Sequence, residues 1–259
     1  VRIDHKQKHF ELSAQRLEQV RRQHPDAIVE EEDALVVLDF ESEASHVLHW
    51  SADSPQALVS TVQKMQQQMP LIAPWHVTLV NQGDYAKALL SLGFTVRNHY
   101  LDHWLGELSG FSGLHATSFA MAEAQLADAV RLAHVSQACG GDIGWQPSTS
   151  AWYADWLEDS ASAVLIAEAS GQLAGFCCVR SYGEQNNRVW IRELAVRPND
   201  RRLGLGRGLL EAGLLWGQRQ GAVKAFLAVD ARSAEARRLY ERIGFLPNGE
   251  EEYHLILAS

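Results

Sequence analysis

One order of apolar and polar positions occurs twice in this chain: strand, helix, strand, helix, then Gly-Phe. In the first half a helix is predicted over residues 11–23. Strands follow at 27–29 and 35–40, joined by an acidic turn, and at 46–50. Ser54-Pro55 opens a helix to about residue 69, with Ser as cap and Pro in the first turn. A strand at 75–80 and a helix at 84–92 lead to Gly93-Phe94, and 97–108 reads as further strand. The second half is expected to begin with a strand at 114–119 and a helix at 122–135, with Leu126, Val130 and Ala133 on one stripe. A loop at 139–147, a short aromatic helix at 148–157, and a hairpin of 163–169 with 172–181 follow. Residues 189–196 form an apolar strand, and Val223, Ala225, Leu227 and Val229 alternate through another at 222–229. The late helix ends in Gly244-Phe245, at an offset of 151 residues from Gly93-Phe94. The expected organisation is two α/β domains, 1–110 and 111–259, with a linker at 108–113. Two unrelated halves are the competing reading.

Composition narrows the class. Of 259 residues, 46% are hydrophobic and 21% charged, as in a globular protein, and no apolar run reaches the length of a membrane span. The opening ten residues are polar without a signal-like core, and the three cysteines make no disulfide framework, so a cytoplasmic protein is expected. Cys177 and Cys178 are adjacent in a strand and point to opposite faces. The net charge of −9 argues against general nucleic-acid binding, which needs a basic surface, and is compatible with a cationic amine as ligand. Among eleven histidines, His46/His49 and His99/His103 are closely spaced, but no ligand set completes a metal site.

The chemistry concentrates in Arg201-Arg202-Leu203-Gly204-Leu205-Gly206-Arg207-Gly208, between the strand at 189–196 and an apolar-striped helix. The first helical N–H groups lack internal partners, the helix dipole places partial positive charge there, and glycines let a bulky anion approach the backbone. A nucleoside-triphosphate loop would need Lys-Ser or Lys-Thr after its last glycine, but Leu209-Leu210 follows Gly208. The dinucleotide fingerprint needs a different glycine spacing, in the first turn of a βαβ unit.

Arg201-x-x-Gly204-x-Gly206 instead resembles the diphosphate-binding motif of the GNAT superfamily of N-acetyltransferases. Glu193-Leu194-Ala195-Val196-Arg197-Pro198 resembles the family's preceding strand, and Leu239-Tyr240-Glu241-Arg242-Ile243-Gly244-Phe245 its late helix. The resemblance covers roughly residues 113–257. It implies an α/β fold of tandem GNAT-like domains, each a mixed, mostly antiparallel sheet flanked by helices. It also implies an acetyl-coenzyme A-dependent transferase acting on a small-molecule amine, with no metal. The N-terminal copy puts Trp50-Ser51-Ala52-Asp53-Ser54-Pro55 where the loop would be, and Leu89 where Tyr240 stands. Its helix is capped by its own Ser54 and its loop carries Asp53, which would repel a diphosphate, so this copy is expected to have lost cofactor binding.

By the same resemblance, Arg201, Arg202, Leu203, Gly204, Leu205, Gly206 and Arg207 hold the diphosphate. Leu194, Ala195 and Val196 flank the pantetheine arm, and Ser233 stands where the family often has an Asn touching the cofactor. Tyr240 is the candidate general acid for the departing thiolate. Glu193 is the candidate base, although a one-residue slip in its strand would change its face; Asp230 and ordered water are the alternatives. Trp145, Trp152, Tyr153 and Trp156 either line the acceptor pocket or form a packed aromatic cluster. Two other functions stay open: a non-catalytic acyl-coenzyme A sensor, and an acetyltransferase acting on protein N-termini or lysines.

Overall fold

The fold is described from a computed structural model covering residues 7–42, 45–108, 111 and 119–258. The expected strand at 114–119, apart from Phe119, and most of the expected linker lie outside the described residues. The chain divides into two units, Val1–Tyr100 with Glu250–Ser259, and Leu101–Gly249. This differs from the expected boundary at 110/111. The last ten residues belong to the first unit because the final strand of the chain, Leu246–Leu257, pairs antiparallel with Trp75–Val80 over six residues.

The first unit comprises β1 (Gln7–His9), α1 (Ala14–Gln23), β2 (Ile28–Glu30), β3 (Ala34–Ser42), β4 (Ser45–Ala52), α2 (Pro55–Gln68), β5 (Trp75–Val80), α3 (Gly83–Leu90) and the start of β6 (Thr95–Leu105). Strands β2, β3 and β4 are joined by antiparallel ladders, and β4 runs parallel to β5. Its core packs Val36, Leu38, Leu48 and Trp50 of the sheet against Leu58, Val62 and Met65 of α2. Ser13 and Ser54 cap α1 and α2 by accepting from the N–H of Arg16 and Ala57.

The second unit comprises β7 (Met121–Glu123), α4 (Ala129–Ala138), α5 (Ser150–Glu158), β8 (Ser162–Ala169), β9 (Gln172–Tyr182), β10 (Arg188–Val196), α6 (Leu205–Arg219), β11 (Lys224–Asp230) and α7 (Ala234–Ile243), before β12 (Leu246–Leu257) leaves it. Its strands follow the order β11-β10-β9-β8-β7. The helix expected over 122–135 is corrected. Met121–Glu123 pairs with β8 as a strand, a turn of 3-10 helix follows, and α4 starts at Ala129. The buried face of α4 carries Leu132 and Val135, whereas Leu126 and Val130 of the expected stripe are exposed.

Side-chain alternation gives this sheet two cores. On one face Cys177, Val179, Val189, Ile191, Leu227 and Val229 pack against α6 and α7. On the other, Phe176, Cys178 and Ala195 pack against α4 and α5. The two adjacent cysteines therefore do point apart. Helix α6 lies close to the sheet because of two glycines: a Cβ on Gly217 would sit 2.5 Å from Val189 Cβ, and one on Gly213 would sit 2.9 Å from Val179 Cγ1. The repeat is visible in the helix ends. Gly244 (φ 109°) caps α7 and Gly93 (φ 90°) ends the turn that follows α3, both in the left-handed region, and Phe94 and Phe245 behind them are buried.

Alanine normally favours a helix over glycine by about 1 kcal/mol. Gly217→Ala should nevertheless destabilise the protein by about 1–3 kcal/mol, since overpacking outweighs propensity. Denaturant unfolding reads this directly, and a neutral or stabilising outcome would contradict the close helix–sheet approach.

Candidate functional site

Strand β10 changes register once. Its antiparallel ladder with β9 matches Ile191 to Val179 and Glu193 to Cys178, leaving Arg192 as an extra residue in a β-bulge. Ile191 and Leu194 stay on the α6 face. Glu193 turns to the α5 face, where its carboxylate accepts from Tyr153 Oη (2.9 Å) and Ser148 Oγ (3.0 Å). Glu193 is 8% exposed, and burial raises its pKa above the ordinary carboxylate range. The two hydroxyl donors and the Arg192 charge oppose that shift. Tyr153 is fully buried, and its phenol is pushed upward by burial and by Glu193, so it remains a donor at any ordinary pH.

Beyond the bulge the parallel strands part. The ladder between β10 and β11 covers Arg188–Trp190 against Lys224–Phe226 and is not continued toward Val196 and Asp230 among the described residues. The β11-facing edge of Ile191–Val196 is thus left without a partner strand, and an extended ligand could pair with it as an added strand. Tyr240 is buried on the α6/α7 side with Phe245, 6.1 Å away between ring centroids. Burial raises its phenol pKa, which keeps it protonated. Glu193 and Tyr240 therefore flank the sheet from opposite faces.

The loop after β10 ends at Gly204 (φ 86°), the N-cap of α6, with no side-chain cap. Arg202 is held at φ 63° and Leu203 is exposed. The amides of Leu205, Gly206 and Arg207 occupy positions that have no acceptor within the helix. A Cβ on Gly204 would meet nothing within 4 Å, and one on Gly206 would meet only Leu239 and Val196 at ordinary contact distance. The backbone at Gly204 thus borders open space, which suits the approach of a bulky anion. The arginines are less available than their sequence suggests. Arg201 binds Asp142 and the Val196 carbonyl, Arg207 binds the buried Glu211, and Arg202 lies 3.6 Å from Glu235. An anion placed here would be met mainly by backbone N–H groups. Ser233 is the N-cap residue of α7 but makes no side-chain cap bond. Asp230 accepts from the backbone and guanidinium of Arg232 and is crowded by Gly144, so its carboxylate is already committed.

The equivalent place in the first unit is filled. The β4–β5 ladder is also short, His46–Val47 against Trp75–His76. There the fully buried Trp50 donates its indole N–H to the Thr78 carbonyl of β5 (3.1 Å) and stacks on Tyr85 of α3 at 5.2 Å. No bulge interrupts β4 between Val47 and Ala52, and Ser54 Oγ takes the Ala57 N–H at the start of α2.

Of the aromatic residues expected to line a pocket, Tyr153 and Trp156 are buried, and Trp145 donates to the Ser136 carbonyl. Trp152 is half-buried, stacks on Trp156 at 5.1 Å, and lies under Arg192. The histidine pairs are packed individually: His46 against Phe40, His49 against Phe10, and His99 against Tyr253 and Glu251. No group of metal-ligating residues occurs among the described residues, and none of their helices is long and apolar enough to cross a membrane. Sequence reasoning missed Ser148, Asp142 and the plugging role of Trp50. The adjacent polar pair Arg192-Glu193, within an otherwise apolar strand, was the available signal for the bulge.

Residues 130–245 match the model of the Acetyltransferase (GNAT) family, and this part of the chain is a GNAT domain. It is similar to streptothricin acetyltransferase of Streptomyces lavendulae, with 37% identity over 89 residues, 34% of this chain and 47% of the relative. Similarity to mycothiol acetyltransferase of Streptomyces coelicolor is 37% over 82 residues, 31% of this chain and 26% of the relative. The matches thus span half or less of these curated relatives. The whole fold is similar to that of a tandem GNAT protein from the clavulanic acid biosynthesis pathway, with TM-score 0.59 and 14% identity, covering 86% of this chain and 78% of that one. The chain has the tandem GNAT fold.

Removing the Tyr153 hydroxyl withdraws a donor that favours the charged carboxylate. Tyr153→Phe should therefore raise the Glu193 pKa further, as read by carbon-13 NMR titration of the Glu193 carboxyl. A downward shift would show that Tyr153 does not hold the anion.

Proposed function

We propose that the chain is an acetyl-coenzyme A-dependent N-acetyltransferase that transfers acetyl to a primary amine of a small molecule by direct attack. The second unit carries the reaction and the first is non-catalytic. The observation that carries this reading is the gap between β10 and β11, open beside the bare N-terminus of α6 and flanked by Glu193 and Tyr240. A thioester supplies an acyl group whose transfer breaks a C–S bond and forms a C–N bond. The free edge of Leu194, Ala195 and Val196 offers hydrogen bonds to an extended amide-bearing arm. Amides from Arg202 to Arg207, with Leu203, Gly204, Leu205 and Gly206 leaving room, bind the diphosphate, and Ser233 borders the same cleft. A backbone N–H at the bulge can stabilise negative charge developing on the carbonyl oxygen.

Glu193 takes the proton that the amine must lose, directly or through water. Its raised pKa suits it to accept at neutral pH and to shuttle the proton onward. Tyr240, protonated by burial, donates to the departing thiolate. Two relatives are named for the molecules they acetylate, streptothricin and mycothiol, which supports a small-molecule amine acceptor.

Coenzyme A thiol release measured against a panel of amines tests the reading, and no release with any amine would contradict it. Tyr240→Phe should slow turnover by about a hundredfold or more while leaving acetyl-coenzyme A affinity near wild type; unchanged turnover would remove Tyr240 from the mechanism. The base form of Glu193 is lost as pH falls through its raised pKa. The acid limb of kcat/KM should thus begin at higher pH than an ordinary carboxylate gives, and Glu193→Gln should abolish it. An acid limb that survives this substitution would assign the base elsewhere.

A further inference from the structure

The bulge that aims Glu193 at α5 also places the neighbouring Arg192 on the same face, and the two residues end in different surroundings. Glu193 is buried under Tyr153 and Ser148, whereas Arg192 is exposed. The Arg192 guanidinium lies over two indole rings, 5.2 Å from the Trp190 centroid and 5.9 Å from that of Trp152. No ion pair ties it to a carboxylate among the described residues, although its charge acts on neighbouring Glu193. Four other arginines of this unit do pair with carboxylates: Arg180 with Asp159, Arg197 with Asp200, Arg201 with Asp142 and Arg207 with Glu211. A guanidinium whose charge faces indole rings rather than a carboxylate keeps N–H donors for a planar anion.

The rings beneath it continue as an aromatic row. Trp190 is parallel to Phe226 (interplanar 7°, 6.2 Å), Phe226 stacks on Trp104 at 5.0 Å, and Trp152 stacks on Trp156. Trp104, Trp152, Trp190 and Phe226 are each only partly buried, so the row offers flat apolar surface. A fixed positive charge next to this surface disfavours a polycationic ligand, despite the acidic net charge of the chain.

We infer that Arg192 is the specificity residue of the acceptor site, and that the acceptor is an amine carrying a carboxylate a few bonds away on an aromatic or flat apolar body. The carboxylate pairs with Arg192, the amine meets Glu193, and the body lies on Trp152 and Trp190. This inference rests on the transferase reading above, since it takes the α5 face of the bulge as the acceptor side.

The test uses the full chain and two readouts. The first compares kcat/KM for phenylalanine with phenethylamine, tryptophan with tryptamine, and a polycationic aminoglycoside. The second measures calorimetric binding of N-acetylphenylalanine and of N-acetylphenethylamine to the protein saturated with coenzyme A. A charge-assisted pair predicts at least about tenfold preference for the carboxylated member in both readouts. Arg192→Gln should erase the preference through KM, leave coenzyme A affinity and thermal stability unchanged, and be partly rescued by Arg192→Lys. Equal use of both members, preference for the decarboxylated or polycationic amine, or equal losses on both members in Arg192→Gln would overturn the assignment while leaving the transferase reading intact. Carboxylate-selective binding without turnover would sustain Arg192 and contradict the transferase reading. Absence of both binding and turnover for the carboxylated compounds would overturn the assignment of Arg192.

Discussion

The separation of β10 from β11 is the constraint on which the candidate site depends. Two parallel strands that stay paired bury their amides in each other. Here the ladder stops after Trp190 and Phe226, and the extra residue at Arg192 bends β10 as the pairing ends. The bulge frees an edge of backbone for an extended ligand, moves Glu193 into a buried, hydrogen-bonded position, and leaves Arg192 exposed over indoles. Opening a sheet in this way exposes unpaired polar groups, which is unfavourable unless water or a ligand satisfies them. The compensation comes from packing: α6 is drawn onto the sheet through Gly213 and Gly217, and α4 and α5 cover the opposite face.

The first unit shows the same topology closed by its own side chains. Its parallel ladder is equally short, yet Trp50 reaches the carbonyl of Thr78 and stacks on Tyr85, so the gap is closed by the unit's own side chains. Its α2 start is closed by Ser54. The strand gap and the helix start that are open in the second unit are both filled by side chains in the first, which is a physical basis for the proposed division of roles.

Much of this was legible in the sequence because it is local. Gly204 and Gly206 at the head of an apolar helix, Tyr240 four residues before Gly244, and Ser54-Pro55 in the counterpart loop each declare themselves within a few residues. Most of the longer strands and helices followed from period and caps, and the duplicated Gly-Phe pairs marked the repeat. Long-range pairing was not legible. Nothing near Tyr153 announces a hydrogen bond to a carboxylate forty residues away, and nothing near Asp142 announces that it takes up Arg201. The return of β12 to β5 depends on a pairing across most of the chain. The strand β7 was read as helix because three residues are too few to show a period of two, and only the ladder with β8 decides them.

Amide hydrogen exchange with and without coenzyme A tests the central claim most directly, because it reads the backbone groups said to bind. The account predicts new protection at residues 191–196 and 202–207 and none at residues 50–57. Protection confined to the first unit, or an unchanged exchange pattern under saturating coenzyme A, would contradict it.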